Sequence, residues 1–283
     1  MLTPTAQIVA DAAARGTGAP AFNGITLEHG EAIVLGAERA GLPVILALSH
    51  NAVRYHGALR PVAAAYRALA EAAAVPVGLH LDHVEDLGLV EETLTLGFGS
   101  VMYDAAMLPY ADNVRTTRQA ARLVHDAGMW LESELGEIGG KNGAHAPHVR
   151  TDPDEAARYV AETGVDALAV AVGSSHAMTD RTASLDLDLV ARLRAAVPVP
   201  LVLHGSSGVS DEGLRAAVAA GLAKVNVGTQ LNIAYSRGVR EGLTTTTAPD
   251  PRPWLAEARE AMTDAVARLV VVISSPAGAG GQT

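Results

Sequence analysis

Val75-Pro76-Val77-Gly78-Leu79-His80-Leu81-Asp82-His83 is an apolar run that ends in an acid and an imidazole. Side chains alternate along a strand, so His80 and Asp82 share one face, Leu79 and Leu81 take the other, and His83 stands at the exit. An apolar strand tipped with Asp-His either presents chemistry there or holds a buried polar pair satisfied by hydrogen bonds. The rest of the chain decides between these readings, because the same design recurs along it.

Working outward, further apolar runs end in polar groups. Residues 20–23 end at Asn23, and 43–48 lead into Ser49-His50. Residues 100–103 end at Asp104, and 129–134 close on Glu132-Ser133-Glu134. Residues 166–172 run into Gly173-Ser174-Ser175-His176, and 200–203 into His204-Gly205-Ser206-Ser207-Gly208. Residues 223–227 carry Asn226 and run into Gly228-Thr229. Helical periodicity with start and stop signals separates these runs, at about 5–14, 28–40, 61–74, 86–96, 112–126, 152–163, 187–196 and 210–220. Another helix starts at Gln230, and a last one spans about 250–269.

Strands that alternate with helices are parallel and joined by helical crossovers. Eight such units predict a (β/α)8 barrel with a helix before the first strand and an extra helix after the last. Residues 1–273 read as one domain, and the Gly-rich 274–283 as a disordered tail. A doubly wound sheet is the alternative, but no Gly-x-Gly-x-x-Gly follows the first strand.

Composition narrows the function. The chain is 49% hydrophobic with 18% charged residues, which suits a packed core and not a disordered chain. Its 21 basic and 31 acidic residues give a net charge of -10, which argues against a nucleic-acid surface. With no cysteine, any metal ligands are His, Asp or Glu. The N-terminus shows no signal-peptide pattern and no run reaches the ~20 apolar residues of a membrane span, so a cytoplasmic protein is expected.

In a barrel of this kind the active site lies at the C-terminal ends of the strands. Those ends carry Asn23, Ser49, Asp82, His83, Asp104, Glu134, His176, His204 and Asn226. Wet strand ends account for Asn and Ser. They account poorly for imidazoles on strands three, six and seven with carboxylates beside them. Three His converging from separate strands, with a fourth position open, is the pattern of catalytic zinc. The loops 205–208 and 226–229, which run into helix starts after strands seven and eight, predict a phosphate site.

These motifs carry a family resemblance that runs in order from about residue 5 to 270. The pieces are Pro20-Ala21-Phe22-Asn23, His80-Leu81-Asp82-His83, Ser100-Val101-Met102 with Asp104, and Glu132-Ser133-Glu134-Leu135-Gly136. His176, Leu203-His204-Gly205-Ser206-Ser207-Gly208 and Lys224-Val225-Asn226-Val227-Gly228-Thr229 complete the set. The chain resembles the class II, zinc-dependent ketose-bisphosphate aldolases of the fructose- or tagatose-bisphosphate type. The resemblance implies reversible aldol cleavage of a phosphorylated ketose to dihydroxyacetone phosphate and an aldehyde, with zinc stabilising the enediolate. It implies zinc on His83, His176 and His204, with Asp104 and Glu134 as alternative or outer ligands, and Asp82 as the proton donor and acceptor. Asn23, Ser49, Ala177, Gly205, Ser206, Ser207, Asn226, Val227, Gly228 and Thr229 would hold substrate or phosphate, together with a monovalent cation, Na+ or K+. A homodimer or homotetramer is implied as well.

Three positions depart from the family pattern. Ala177 stands in place of the Gly that follows the second zinc His, and Thr26 where Asn is common. Asn142 aligns with the loop Glu that removes the proton from dihydroxyacetone phosphate; the same loop, 136–151, carries His145 and His148, and His145 is the expected replacement base. A zinc-bound sugar-phosphate-binding barrel without aldolase activity is the competing reading. A zinc hydrolase on the same scaffold is a third.

Overall fold

The computed structural model describes residues 1–135, 149–175 and 178–275. Its strands are β1 (Ala19–Gly24), β2 (Val44–Ser49), β3 (Val77–Val84), β4 (Ser100–Tyr103), β5 (Trp130–Leu135), β6 (Ala167–Val170), β7 (Leu201–Leu203) and β8 (Leu222–Val227). They close in sequence order into a barrel in which every neighbouring pair is parallel. The helices are α1 (Thr5–Ala14), α2 (Leu27–Ala40), α3 (His50–His56), α4 (Leu59–Ala72), α5 (Leu87–Thr93), α6 (Tyr110–Asp126), α7 (Pro153–Thr163), α8 (Leu187–Ala196), α9 (Asp211–Ala220), α10 (Thr229–Thr245) and α11 (Arg252–Ser274). This is the expected (β/α)8 barrel, with α1 ahead of the first strand and α11 after the last.

Strand alternation divides the residues between two environments. Outward Leu46, Leu48, Leu79, Leu81, Leu131 and Val225 pack under the helices and form the main apolar core. Several inward positions are small or polar: Ala167, Ala169 and Ala171 share the interior with Val202, while His80, Glu132 and Lys224 are fully buried. The small alanines leave volume for long polar chains from the other strands, and that volume sits directly beneath the site.

Helix starts follow the sequence signals. Asp86 accepts from the Gly88 and Leu89 amides ahead of α5, and Asp152 accepts from the Asp154 and Glu155 amides ahead of α7, whose first residue is Pro153. Three elements differ from expectation. Helix α3 was not anticipated, since seven residues are too few for a periodic pattern; Ser49 caps it by accepting from the Ala52 amide at 3.1 Å. Helix α11 continues beyond Leu269 to Ser274 although Val270-Val271-Val272-Ile273 favours strands. Val270, Val272 and Ile273 are buried, so packing overrides the propensity. Strand β6 is also shorter than the expected 166–172. Among the described residues no helix is long and apolar enough to cross a membrane.

Helices α10 and α11 approach closely at Gly238. A Cβ added there would stand 2.6 Å from the Ala258 Cα and 2.9 Å from the Glu257 carbonyl oxygen, both fixed backbone atoms. Gly238→Ala should therefore destabilise the protein by about 1–3 kcal/mol through overpacking, despite the ~1 kcal/mol by which alanine favours a helix. Denaturant unfolding of the variant beside the wild type measures the difference; an equal or higher midpoint would show that α10 and α11 can separate without cost.

Candidate functional site

The strand order brings the predicted polar ends to one rim. Asn23, Ser49, Asp82, His83, His204, Gly205, Ser206, Ser207, Asn226, Gly228 and Thr229 line a single pocket, to which Asn51 and Asn232 also contribute. Val227 does not line it, because alternation turns its side chain into the outer core. Asp104 and Glu134 are buried at the rim without lining the pocket. His176 and Ala177, together with Asn142, His145 and His148 of the loop, lie outside the described residues.

His83 reaches the rim through an unusual backbone. Among the described residues it is the one non-glycine with positive φ, at 54°. The β3–β4 register shifts between Leu81 and Val84, and the strand runs on to Val84 instead of ending at His83. In a regular strand His83 would face away from Asp82. The left-handed conformation, which His tolerates better than most side chains, interrupts that alternation and leaves His83 Nε2 3.9 Å from Asp82 Oδ2.

Both rim imidazoles are oriented by carboxyl groups. His83 Nδ1 lies 2.8 Å from Asp104 Oδ2, and His204 Nε2 lies 2.9 Å from Glu132 Oε1. A carboxylate only accepts, so each of these ring nitrogens carries the proton and donates. The remaining nitrogens, His83 Nε2 and His204 Nδ1, stand 3.1 Å apart. In this tautomer each could give a lone pair to a cation bound there. Two nitrogens at about 2.0–2.1 Å from one tetrahedral zinc would stand at nearly this separation. Asp82 offers a third atom, and the ligand atoms of Asp82, His83 and His204 all lie within 4.8 Å of one another. The charge balance agrees: carboxyl groups of Asp82, Asp104, Glu132 and Glu134 are buried here, whereas Lys224 is the one buried Lys or Arg among the described residues. The donor set fits a divalent metal, and carboxylate partners on metal-binding His are the usual outer support of such sites.

Lys224 and Glu132 form the layer below. Lys224 Nζ donates to Glu132 Oε2 and to Asn226 Oδ1, each at 2.7 Å. Asn226 Nδ2 in turn donates to Asp82 Oδ1 at 3.3 Å, and Asn23 Nδ2 to Asp82 Oδ2 at 2.8 Å. His80 Nδ1 meets Ser100 Oγ at 2.7 Å, and its Nε2 is 3.6 Å from Asp82 Oδ1. The sequence singled out neither Glu132 nor Lys224 for a role. The available signal was a Glu and a Lys at inward positions of two apolar strands, where each charge requires the other.

These contacts set the protonation states. Burial opposes charge on Asp82, but His83, His80 and His204 beside it outweigh that and hold its carboxyl well below the usual range. Burial likewise opposes charge on Glu132, and Lys224 with His204 draws it down to about 2. Burial lowers His204 to about 4 despite Glu132. A neutral imidazole is the form that binds metal.

The opposite side of the pocket is made of loop backbone. Gly205 has φ of 63°, and a Cβ there would stand 2.6 Å from the Ser175 backbone, so glycine is required. Ser206 Oγ donates to the Asn226 carbonyl. Ser207 Oγ accepts from the Gln230 amide at 3.3 Å, and Gln230 Nε2 donates to the Ser207 carbonyl at 3.0 Å. These bonds clamp the turn 206–208 against the start of α10, where free amides and the helix dipole favour an anion. Farther along α10, Asn232 and Tyr235 pack on His29, whose ring stacks on Tyr235 with centroids 4.3 Å apart. Burial lowers His29 to about 4.

The chain is similar to known proteins over nearly its whole length. The family model of class II fructose-bisphosphate aldolase matches residues 3–277. The crystal structure of the YdjI aldolase from Escherichia coli K12 is similar at 30% identity over 98% of this chain and 99% of that one, with a TM-score of 0.87. A Coccidioides immitis protein provisionally assigned as a fructose-1,6-bisphosphate aldolase matches at 29% identity over 97% and 96%, with a TM-score of 0.86. Fructose-bisphosphate aldolase from Campylobacter jejuni shares the fold at 23% identity over 96% and 94%, with a TM-score of 0.82.

His204 and His29 make the metal-free protein acid-sensitive. Both are lowered to about 4 in the folded chain from an ordinary 6.5. Between these values the unfolded chain binds the extra protons, so stability is full above pH 6.5 and falls as pH drops towards 4. With both groups titrating, the slope should approach 2.7 kcal/mol per pH unit, about 1.36 for each proton. Urea midpoints of chelator-treated protein between pH 7 and 4.5 test this. A midpoint constant from pH 7 to 5 would mean that neither ring is held neutral by folding.

Proposed function

The chain belongs to the class II fructose-bisphosphate aldolase family, and from that premise we propose how its rim cleaves a phosphorylated ketose. His83 and His204, with His176, hold one zinc ion; Asp104 and Glu132 keep the first two rings oriented, and Glu134, whose Oε2 is 3.6 Å from His204 Nδ1, is an alternative ligand. The meeting of His83 Nε2, His204 Nδ1 and the Asp82 carboxyl at one point is the observation that carries this reading. Bound there, zinc supplies a Lewis acid for the charge that develops at the ketone oxygen. The phosphate on C1 lies against Gly205–Ser207, Ala177 and the Asn226–Thr229 turn at the head of α10, with a monovalent cation, Na+ or K+, as counter-charge.

Asp82 does the proton transfer at C4. It is ionised, buried and fixed on both oxygens by Asn23 and Asn226. It accepts the C4 hydroxyl proton in cleavage and returns it to the aldehyde oxygen in condensation. The C3 proton of dihydroxyacetone phosphate falls to His145 in place of the family's Glu. The family pattern further implies a homodimer or homotetramer working in the cytoplasm.

Asp82→Asn should retain zinc and lose about 10²–10⁴-fold in cleavage rate. Asp104→Asn should show the opposite emphasis, with zinc affinity reduced about 10–100-fold. Metal analysis after dialysis against graded chelator, beside a coupled assay for dihydroxyacetone phosphate, separates the two. Full activity in Asp82→Asn would remove it from the mechanism.

Exchange of the C3 proton of dihydroxyacetone phosphate into deuterated water isolates the abstraction step. The wild type should exchange, and His145→Ala should slow it by about 10²-fold or more while His148→Ala does not. Equal exchange in both variants would rule out His145. Exchange seen only after Asn142→Glu would favour the competing reading, a zinc-bound barrel that binds sugar phosphate without cleaving it.

A further inference from the structure

The two sides of the pocket offer different chemistry. The β7–β8 side, Gly205–Ser207 with Gly228 and Thr229, presents loop backbone at the head of α10. The β1–β2 side is formed by Asn23, Ile25, Ser49 and Asn51, with Asn232 reaching in from α10. Every polar side chain on this second side is a neutral amide or hydroxyl. Among the described residues no Lys or Arg lines the pocket. Arg54, one turn beyond Asn51 on α3, is bonded to Glu85 at 3.3 Å.

The amides also have a defined polarity. Asn23 Nδ2 donates to Asp82, and because a carboxylate only accepts, this fixes the amide with Oδ1 turned away. Asn23 Oδ1 is buried and accepts no hydrogen bond among the described residues, whereas the Asn232 side chain is bonded to His29. Buried acceptors call for donors. A sugar hydroxyl supplies one. A phosphate dianion supplies none and would set its oxygens against the Asn23 carbonyl lone pairs, with no cation from the lining to offset the repulsion.

We propose that the substrate is a ketose 1-phosphate whose far end is an uncharged polyhydroxy chain, cleaved to dihydroxyacetone phosphate and an unphosphorylated hydroxyaldehyde. The assignment rests on the aldolase reading above. In the cleavage the C3–C4 bond breaks and the C4 hydroxyl gives its proton to Asp82, so that C4 becomes the aldehyde carbon. The electron pair stays with C3, which is then protonated to complete dihydroxyacetone phosphate. A hydroxyl beyond C4 donates to Asn23 Oδ1.

The zinc-loaded full chain should be assayed for dihydroxyacetone phosphate release from matched ketohexose 1-phosphates and 1,6-bisphosphates. The 1-phosphates should have the higher kcat/KM by about tenfold or more, a discrimination that polar pockets readily reach. Asn51→Arg, at an exposed helix position, should shift the ratio towards the bisphosphates by about tenfold, and Asn232→Lys provides a second introduced cation should the first variant fold poorly. A bisphosphate preference in the unaltered chain overturns the substrate class and leaves the aldolase reading standing. Proton exchange on dihydroxyacetone phosphate without cleavage of either series has the same consequence. Absence of both exchange and cleavage overturns the two together.

Discussion

The buried pair of Lys224 and Glu132 is the constraint on which the rim depends. Both side chains are fully inside the barrel, 2.7 Å apart. Neither charge survives there without the other, since removing one partner of such a pair costs about 3–5 kcal/mol. From Glu132 the order passes to His204, and from His204 to His83 and Asp104. From Lys224 it passes to Asn226, Asp82 and Asn23. The reacting groups are thus held by a lattice that spans strands β1, β3, β5 and β8 and the ends of β4 and β7, not by the loops that surround them.

That lattice needs space, and the strands provide it by economy elsewhere. Alanines at the inward positions of β6 give up volume that the Glu132 and Lys224 chains occupy. The cost in apolar burial inside the barrel is offset outside it, where leucines and valines of the same strands meet the helices. His83 is the counterpart in the backbone: one residue in a left-handed conformation places two adjacent side chains, Asp82 and His83, at the same site.

Much of this was legible in the sequence. The barrel followed from strands alternating with helices, and the rim residues from the polar ends of apolar runs, because both are local patterns. Ser49 was read as a substrate group, yet it also caps α3, and nothing in a seven-residue segment announces a helix. The continuation of α11 through three valines was illegible for a different reason: it is imposed by burial against distant elements. The roles of Glu132 and Lys224 required knowing that residues 92 positions apart meet. Asn232 required the same knowledge, since its importance comes from the pocket and not from its neighbours in the chain.

Barrel closure has a consequence for the order of synthesis. Strand β1 pairs with β8, joining Ala19 to Lys224, about 200 residues apart. At roughly 5–20 residues per second, a ribosome needs on the order of 10–40 s to make the intervening chain. During that interval β1 waits with an open edge, a hazard for pairing with other chains. Asp82, Asp104 and Glu132 emerge in the same interval, ahead of Lys224, the buried ammonium that balances them. The nascent barrel is therefore both sticky at its edge and self-repelling at its centre until β8 arrives. The strand that shuts the cylinder also delivers the charge that lets its interior settle, so shape and electrostatics are completed in a single late event.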